Sequence, residues 1–407
     1  MTQIDDPKFD ERRKVFVGAI SSFGQYLPRL GNGPVDLSWG VVADSLKSHA
    51  GSKNRKGEEL NYFLGYVDNR NINGFCKLTD GTHYLALFSG VHYACSSLAL
   101  ALFSASELFS DLGNAKDEMR LGKASPYDHY GVFHLIFGGE ARKSTLVPRC
   151  PYRTRYAVLL ASFVQSFLWL HEAAHAVCGH AAFLKSYNRD ENAYLMDLPD
   201  RSEGDPPRFG GSTHDLHAVF SPETFFEHEA DKGACRALLH LIAMSPERYG
   251  MQVDGKTHRI APEILMRLAA VGMILYFWLL DAVWIASKLT HSRLHPHPWF
   301  RGYLLWLEIE ALASGHRHSG ANSVDMDSAQ LAHYERSTAR IRGPLRATSA
   351  RVANDFGELA SSHWLTNLGV LFNERNQSEF RRYVDEAFKF RRTGIVAEVN
   401  EFAYAGH

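Results

Sequence analysis

Three residues have types and a spacing that could build a metal centre: His171, Glu172 and His175. Residues four apart in an α-helix lie on the same face, so the two imidazoles can converge on one Zn²⁺ ion. Glu172 is rotated by about 100° from His171 and can reach a water molecule beside the ion. Zinc lowers the pKa of such a water to about 7, and a carboxylate can pass the proton to a leaving amine. The pattern predicts hydrolysis of peptide bonds.

A catalytic zinc ion also needs a third protein ligand and an open fourth position. His180 does not fit the metzincin pattern, because Gly179 and His180 fall eight and nine residues after His171, where that class has them at seven and ten. Glu227 and Asp231 lie four apart on the next predicted helix. Glu227 can therefore ligate zinc while Asp231 accepts a hydrogen bond from a ligand imidazole. Alternative ligands, should Glu227 lie elsewhere, are His214, His217 and His228.

Together these residues read His-Glu-x-x-His-x-x-x-Gly-His followed by Glu-x-x-Ala-Asp. This order resembles the gluzincin zinc metallopeptidases of the HtpX and CAAX prenyl protease family. It resembles more loosely the ImmA/IrrE peptidases and the phage-exclusion protease Lit, a defence enzyme class that cleaves a translation factor. The resemblance covers roughly residues 165 to 305, and it implies a zincin-like core with Glu227 as the third zinc ligand.

A further family element, His-Pro followed by an arginine six residues after the histidine, is matched by His295, Pro296 and Arg301. The resemblance implies that His295 and Arg301 are catalytic residues that contact the substrate or stabilise a developing oxyanion. The alternative is a polar loop histidine and a surface arginine.

The elements around these residues predict an α+β fold that is mainly α-helical, with a small N-terminal sheet. A long helix is expected over about residues 155–185, since no proline interrupts it, and a second from Pro222 to about Ala243. The polar loop 186–221 between them is long enough to be a lid over the zinc site. The basic residues Arg142, Lys143, Arg149, Arg153 and Arg155 are interpreted as a solvated loop rather than a phosphate site.

Towards the N-terminus, residues 1 to about 80 are expected to form turns and short strands before any long helix. A strand is expected over residues 82–88 and a buried helix over 91–109. We expect three regions: 1–150 of unknown role, 151–320 as the peptidase core, and 321–407 as a C-terminal helical region.

The balance of charged residues argues against nucleic acid as a partner. The 44 Lys and Arg nearly balance the 45 Asp and Glu of the 407 residues, giving a formal charge of −1 without general attraction to nucleic acid. The five cysteines form no CxxC pair, and the charged N-terminus has no apolar segment of a signal peptide, so we expect a cytoplasmic protein. The apolar stretch 268–286 leaves a membrane-associated protein as the alternative to a buried helix.

The sequence therefore predicts a zinc-dependent endopeptidase that acts on a protein or peptide, in a bacterial stress or phage-defence role. His171, His175 and Glu227 would be its ligands and Glu172 its general base. The alternatives are a non-hydrolytic zinc-binding regulatory protein on the same scaffold and a membrane protease that spans the bilayer through residues 268–286.

Overall fold

The computed structural model describes residues 8–27, 34–54, 57–120, 146–182, 195–196, 222–286, 298–314 and 328–361. Within these ranges the chain is mainly helical with a small sheet, which agrees with the expected α+β class. His295 and the expected lid, apart from residues 195–196, lie outside the described residues.

A five-stranded sheet lies in the N-terminal half, in the order β1-β2-β4-β3-β5. Strands β2 and β4 are parallel, and the other neighbours are antiparallel. The turn from β3 to β4 consists of Asp80 and Gly81, both with positive φ, as a two-residue hairpin turn requires. The strands are β1 Gln25–Leu27, β2 Tyr62–Asp68, β3 Gly74–Thr79, β4 Thr82–Phe88 and β5 Leu195–Met196, and β6 Met251–Val253 pairs separately with β7 Lys256–His258.

Eight α-helices make up most of the remaining described residues. Five of them begin at a proline, whose fixed φ suits the first helical position and whose missing N–H is not needed there. The helices are α1 Phe9–Ile20, α2 Pro34–His49, α3 Ser89–Phe103, α4 Pro151–Val177, α5 Pro222–Met244, α6 Pro262–Ala286, α7 Pro298–Ser314 and α8 Ser328–Ser361.

The sheet is covered on both faces. Phe75 of β3 packs with Phe16 of α1 on one face, whereas Cys76, its neighbour in sequence, belongs to the larger core on the other face. Every residue of β4 is buried for this reason. The larger core is one connected cluster of buried side chains, whose members range in sequence from Val41 to Val352. Helix α4 runs through this core and contacts α2, α3, α5 and α6.

Two expectations for the element boundaries are wrong. Residues 1–80 contain two helices before β2, and the buried residues Phe16 and Ile20 of α1, spaced four apart, show the helical period. The long helix ends at Val177 rather than near residue 185, because Gly179 adopts a φ of +77° that terminates a helix. The expected strand 82–88 is confirmed, and the helix that follows it ends at Phe103.

Arg153 corrects the interpretation of the basic run as a solvated loop. Arg149 and Arg155 are exposed, but Arg153 is fully buried in the first turn of α4. Its guanidinium satisfies carbonyl groups that the end of α3 and the next turn leave without helical partners. Its five N–H groups donate at 2.8 to 2.9 Å to the carbonyl oxygens of Phe103, Ala105, Leu108, Phe109 and Leu112.

Among the residues that the structure describes, two helices are long and apolar enough to cross a membrane by length and composition alone, namely α4 and the part of α6 from Pro262 to Leu280. Most residues of both are buried inside the protein itself, as in core helices of a soluble protein. The choice between a cytoplasmic and a membrane-associated protein stays a prediction.

Candidate metal centre

The last two turns of α4 carry His171, Glu172 and His175 into the interior of the protein. Each of these side chains is about 1% exposed. The helix can extend this far through the core because the residues that precede His171 are almost all apolar or small. The histidine spacing of four places Nε2 of His171 and Nε2 of His175 3.0 Å apart. All three residues lie within α4, and the two imidazoles face one point.

Glu227 approaches that point from α5, which packs against α4. One carboxylate oxygen lies 3.4 Å from Nε2 of His171, and the other lies 3.5 Å from Nε2 of His175. Ligands at bonds of about 2.0–2.1 Å in a tetrahedral zinc site are about 3.3 Å from each other. The three side chains thus form a buried group whose ligand atoms could hold a metal ion.

Asp231 contacts His171, and Arg301 contacts Glu227. Oδ1 of Asp231 lies 2.9 Å from Nδ1 of His171, so the carboxylate favours the tautomer that carries its proton on Nδ1. The lone pair on Nε2 then points into the site. Arg301 of α7 lies 3.0 Å from Glu227 and binds both oxygens of Asp231 at 2.8 and 2.9 Å.

The electrostatics keep this site in the protonation states that metal binding requires. Burial lowers the pKa of His175 well below its usual range, against the opposing charge of Glu227. Burial alone would raise the pKa of Glu227, but the Arg301 guanidinium and the two imidazoles outweigh it and hold that pKa well below normal. The result is a neutral imidazole and an ionised carboxylate, and both are the ligand forms of these groups.

The carboxylate of Glu172 lies next to strand β3 and does not belong to the group of three ligand atoms. A Cβ atom placed on Gly74 would lie only 2.6 Å from Oε1 of Glu172, so this position of the strand accommodates the carboxylate by having no side chain. Burial, and next the charge of Glu172, raises the pKa of Cys76 well above its usual value. The carboxylate is thus enclosed beside the metal ligands without being one of them.

The structure brings together five of the predicted site residues, namely His171, His175, Glu227, Asp231 and Arg301, and Glu172 is buried next to His171 in the sequence. His228, an alternative ligand, is not part of the group of three, and burial lowers its pKa to about 4. His214, His217 and His295 lie outside the described residues. Arg301 is 2% exposed rather than a surface arginine, and its role as an oxyanion contact stays a prediction.

Three residues of the site were missed by sequence reasoning. Gly74 carries no motif, and its role depends on the packing of β3 against α4. His180 and Glu229 extend the site beyond His175 through contacts of 3.0 Å each. His180 was considered only as a metzincin ligand, although its position one residue after a helix-terminating glycine indicates a side chain that turns back towards α4.

No protein-family model, curated protein or solved structure matches this chain.

Proposed function

We propose that this chain is a zinc-dependent endopeptidase with a zincin-like core of the gluzincin type. The observation that carries the proposal is the buried convergence of His171, His175 and Glu227, with Glu172 one residue after the first ligand. The resemblance to the HtpX and CAAX prenyl protease family rests on these residues.

The formal charges of the site favour a divalent cation. Glu172, Glu227 and Asp231 contribute three negative charges, and Arg301 contributes one positive charge, so the four ionised groups sum to −2. Buried charge is costly unless it is compensated. A bound Zn²⁺ ion would bring the sum to zero, and the imidazoles and carboxylate that surround it are ligands that zinc accepts.

Each side chain then has a defined part in the reaction. Zinc, when bound, supplies Lewis acidity that activates a water and polarises the scissile carbonyl. Glu172 takes the proton of the attacking water on a carboxylate oxygen and delivers it to the leaving amine nitrogen. Asp231 holds the imidazole of His171 in the ligating tautomer, and Arg301 holds Glu227 and Asp231 in place.

Access for a protein substrate requires a movement, because the ligands and the base are almost completely buried. The expected lid, residues 186–221, includes β5, which pairs with β3 at Phe75 and Cys76. Cys76 and Gly74 lie on the same face of β3, the face that contacts Glu172. Leu195 and Met196 therefore lie beside the strand that contacts Glu172, and the role of the segment as a lid stays a prediction.

The test is metal content by elemental analysis of the purified protein, with cleavage measured on a denatured protein mixture. Glu172→Gln keeps the ligands and is expected to retain about one zinc per chain while it loses at least about 10²-fold in cleavage rate. Glu227→Ala removes a ligand and is expected to lose zinc and cleavage. Glu247→Gln, at an exposed position on the surface, is the matched control and should resemble the wild type.

Each unexpected outcome identifies what has failed. Zinc in the wild type without cleavage under any condition would refute the peptidase and favour the non-hydrolytic regulatory protein. Full zinc content in Glu227→Ala would refute the third ligand. Absence of zinc from every preparation, even after incubation with the ion, would refute the metal centre altogether.

A further inference from the structure

Beyond His175 lies a second group of side chains with metal-binding chemistry. Cys178, His180 and Glu229 each offer a ligand atom, and these atoms lie within 4.8 Å of one another. By residue type the group could hold a metal ion of its own. The positive φ of Gly179 ends α4 and turns the chain so that His180 lies back against the helix.

His180 is in contact with the zinc ligand His175 and with Glu229 at the same time. Its Nδ1 lies 3.0 Å from Nδ1 of His175, and its Nε2 lies 3.0 Å from Oε2 of Glu229. The ring is stacked on Phe226 at a centroid distance of 4.3 Å and is only 2% exposed. Its orientation is therefore held from three sides.

His180 could either bind a second metal ion or hold His175 by a hydrogen bond. The positions of the ring protons decide between these two roles. His175 faces Glu227 and His171 through Nε2, so as a neutral zinc ligand it carries its proton on Nδ1. That proton can only be donated to a lone pair on Nδ1 of His180. Because Nδ1 of His180 accepts in this contact, its ring proton lies on Nε2, where it donates to the carboxylate of Glu229. With Nε2 protonated, His180 has no nitrogen left to bind a second ion.

We propose that His180 and Glu229 are positioning residues that fix the orientation and the tautomer of the zinc ligand His175, and that their group is not a second metal site. The proposal rests on the proposed zinc centre. Asp231 contacts the outer ring nitrogen of His171 directly, whereas Glu229 acts on His175 through the intervening imidazole of His180. Carboxylates that orient a ligand imidazole also raise its basicity, and the negative charge of Glu229 acts here along the chain of hydrogen bonds.

The first test is the zinc affinity of His180 variants of the full chain, measured by competition with a chromophoric chelator. His180→Leu removes both hydrogen bonds and is expected to weaken zinc binding by about 10- to 100-fold. His180→Asn keeps an acceptor near the position of Nδ1 and is expected to lose less. His258→Leu, in the β6–β7 hairpin beside the opposite end of α4, is the matched control and should bind zinc like the wild type.

The second test is the absorption spectrum with cobalt(II) in place of zinc. We expect one cobalt ion per chain and no near-ultraviolet charge-transfer band from a thiolate to cobalt, and Cys178→Ser should leave the spectrum unchanged. A second tightly bound ion, or a thiolate band that Cys178→Ser abolishes, would overturn the proposal. Unchanged zinc affinity in both His180→Leu and His180→Asn would also overturn it.

These readouts separate the present proposal from that of a peptidase. If the wild type binds zinc, and the affinity falls in His180→Leu more than in His180→Asn, the positioning role stands even where no substrate is cleaved. If cleavage occurs but the affinity does not depend on His180, the peptidase stands and the positioning role is refuted. A wild type that binds no zinc refutes both.

Discussion

Replacing Gly74 by alanine is expected to displace Glu172, the proposed general base, without removing a proposed metal ligand. The added Cβ atom would lie 2.6 Å from Oε1 of Glu172, 2.8 Å from Cδ2 of Leu87 and 3.1 Å from the carbonyl oxygen of Ala86. The backbone carbonyl is held in the sheet, so the two side chains must move. Ordinary van der Waals contact begins near 3.4 Å, and the carboxylate therefore has to shift by about 0.8 Å.

A shift of this size has a large effect on catalysis and a modest one on stability. Misplacement of a catalytic group by about 1 Å can lower a rate by about 10²-fold, which corresponds to about 2.7 kcal/mol of activation free energy. An added methyl group in a packed core costs about 1–3 kcal/mol of unfolding free energy. Because Glu172 is not among the ligand atoms, zinc affinity should remain close to that of the wild type.

The assay combines zinc content, urea unfolding and the rate of cleavage of a denatured protein mixture. Gly65→Ala in β2 is the matched control. Its added Cβ atom would lie 2.6 Å from the ring of Phe16 of α1, on the face of the sheet away from α4. It should reproduce the loss of stability and keep the activity. Equal activities of Gly74→Ala and Gly65→Ala would refute the role that we assign to the space at Gly74.

Three further changes test the zinc centre and the packing that supports it. Removal of zinc by a chelator should lower the melting temperature and its return should restore it, since an ion at 1,000 times its Kd adds about 4 kcal/mol; an unchanged melting curve would contradict this. Asp355→Asn weakens the paired 2.6 Å contacts with Arg267, which keeps Asp111 as a charged partner, and should cost about 1–3 kcal/mol in urea unfolding, whereas the exposed Asp254→Asn should cost almost nothing. Arg153→Lys offers three donors to five carbonyl groups and should lower stability by about 2–4 kcal/mol at unchanged zinc affinity, which thermal unfolding and chelator competition would check. A stability equal to that of the wild type would show that water replaces the lost donors.

The part of the site that could be predicted from the sequence is the part encoded by helical spacing. His171 and His175 on α4, and Glu227 and Asp231 on α5, are both pairs four apart, so each pair shares a face wherever the helix lies. Only the packing of one helix against the other was needed to complete the group. The resemblance to a known motif order supplied the expectation that these two faces meet.

The rest of the site depends on the three-dimensional path of the chain. His180 reaches His175 only because Gly179 adopts a positive φ, and Gly74 matters only because β3 packs against Glu172. The helix α1 was missed because its many charged side chains hid an apolar stripe that has just two buried members. Arg153 was misread for a similar reason, since its partners are backbone carbonyl groups, which no sequence pattern displays.

Arg301 matches a position of the family motif, and in the structure it holds two carboxylates of the site. Three of its N–H groups point at Glu227 and Asp231, which lie one turn apart on α5. The proposed third ligand, Glu227, and the carboxylate that contacts His171 are thus held by one guanidinium on α7. Without it, two buried carboxylates would repel each other, and the group of ligands would be expected to open. We therefore expect the proposed metal centre to depend on the packing of α7 against α5.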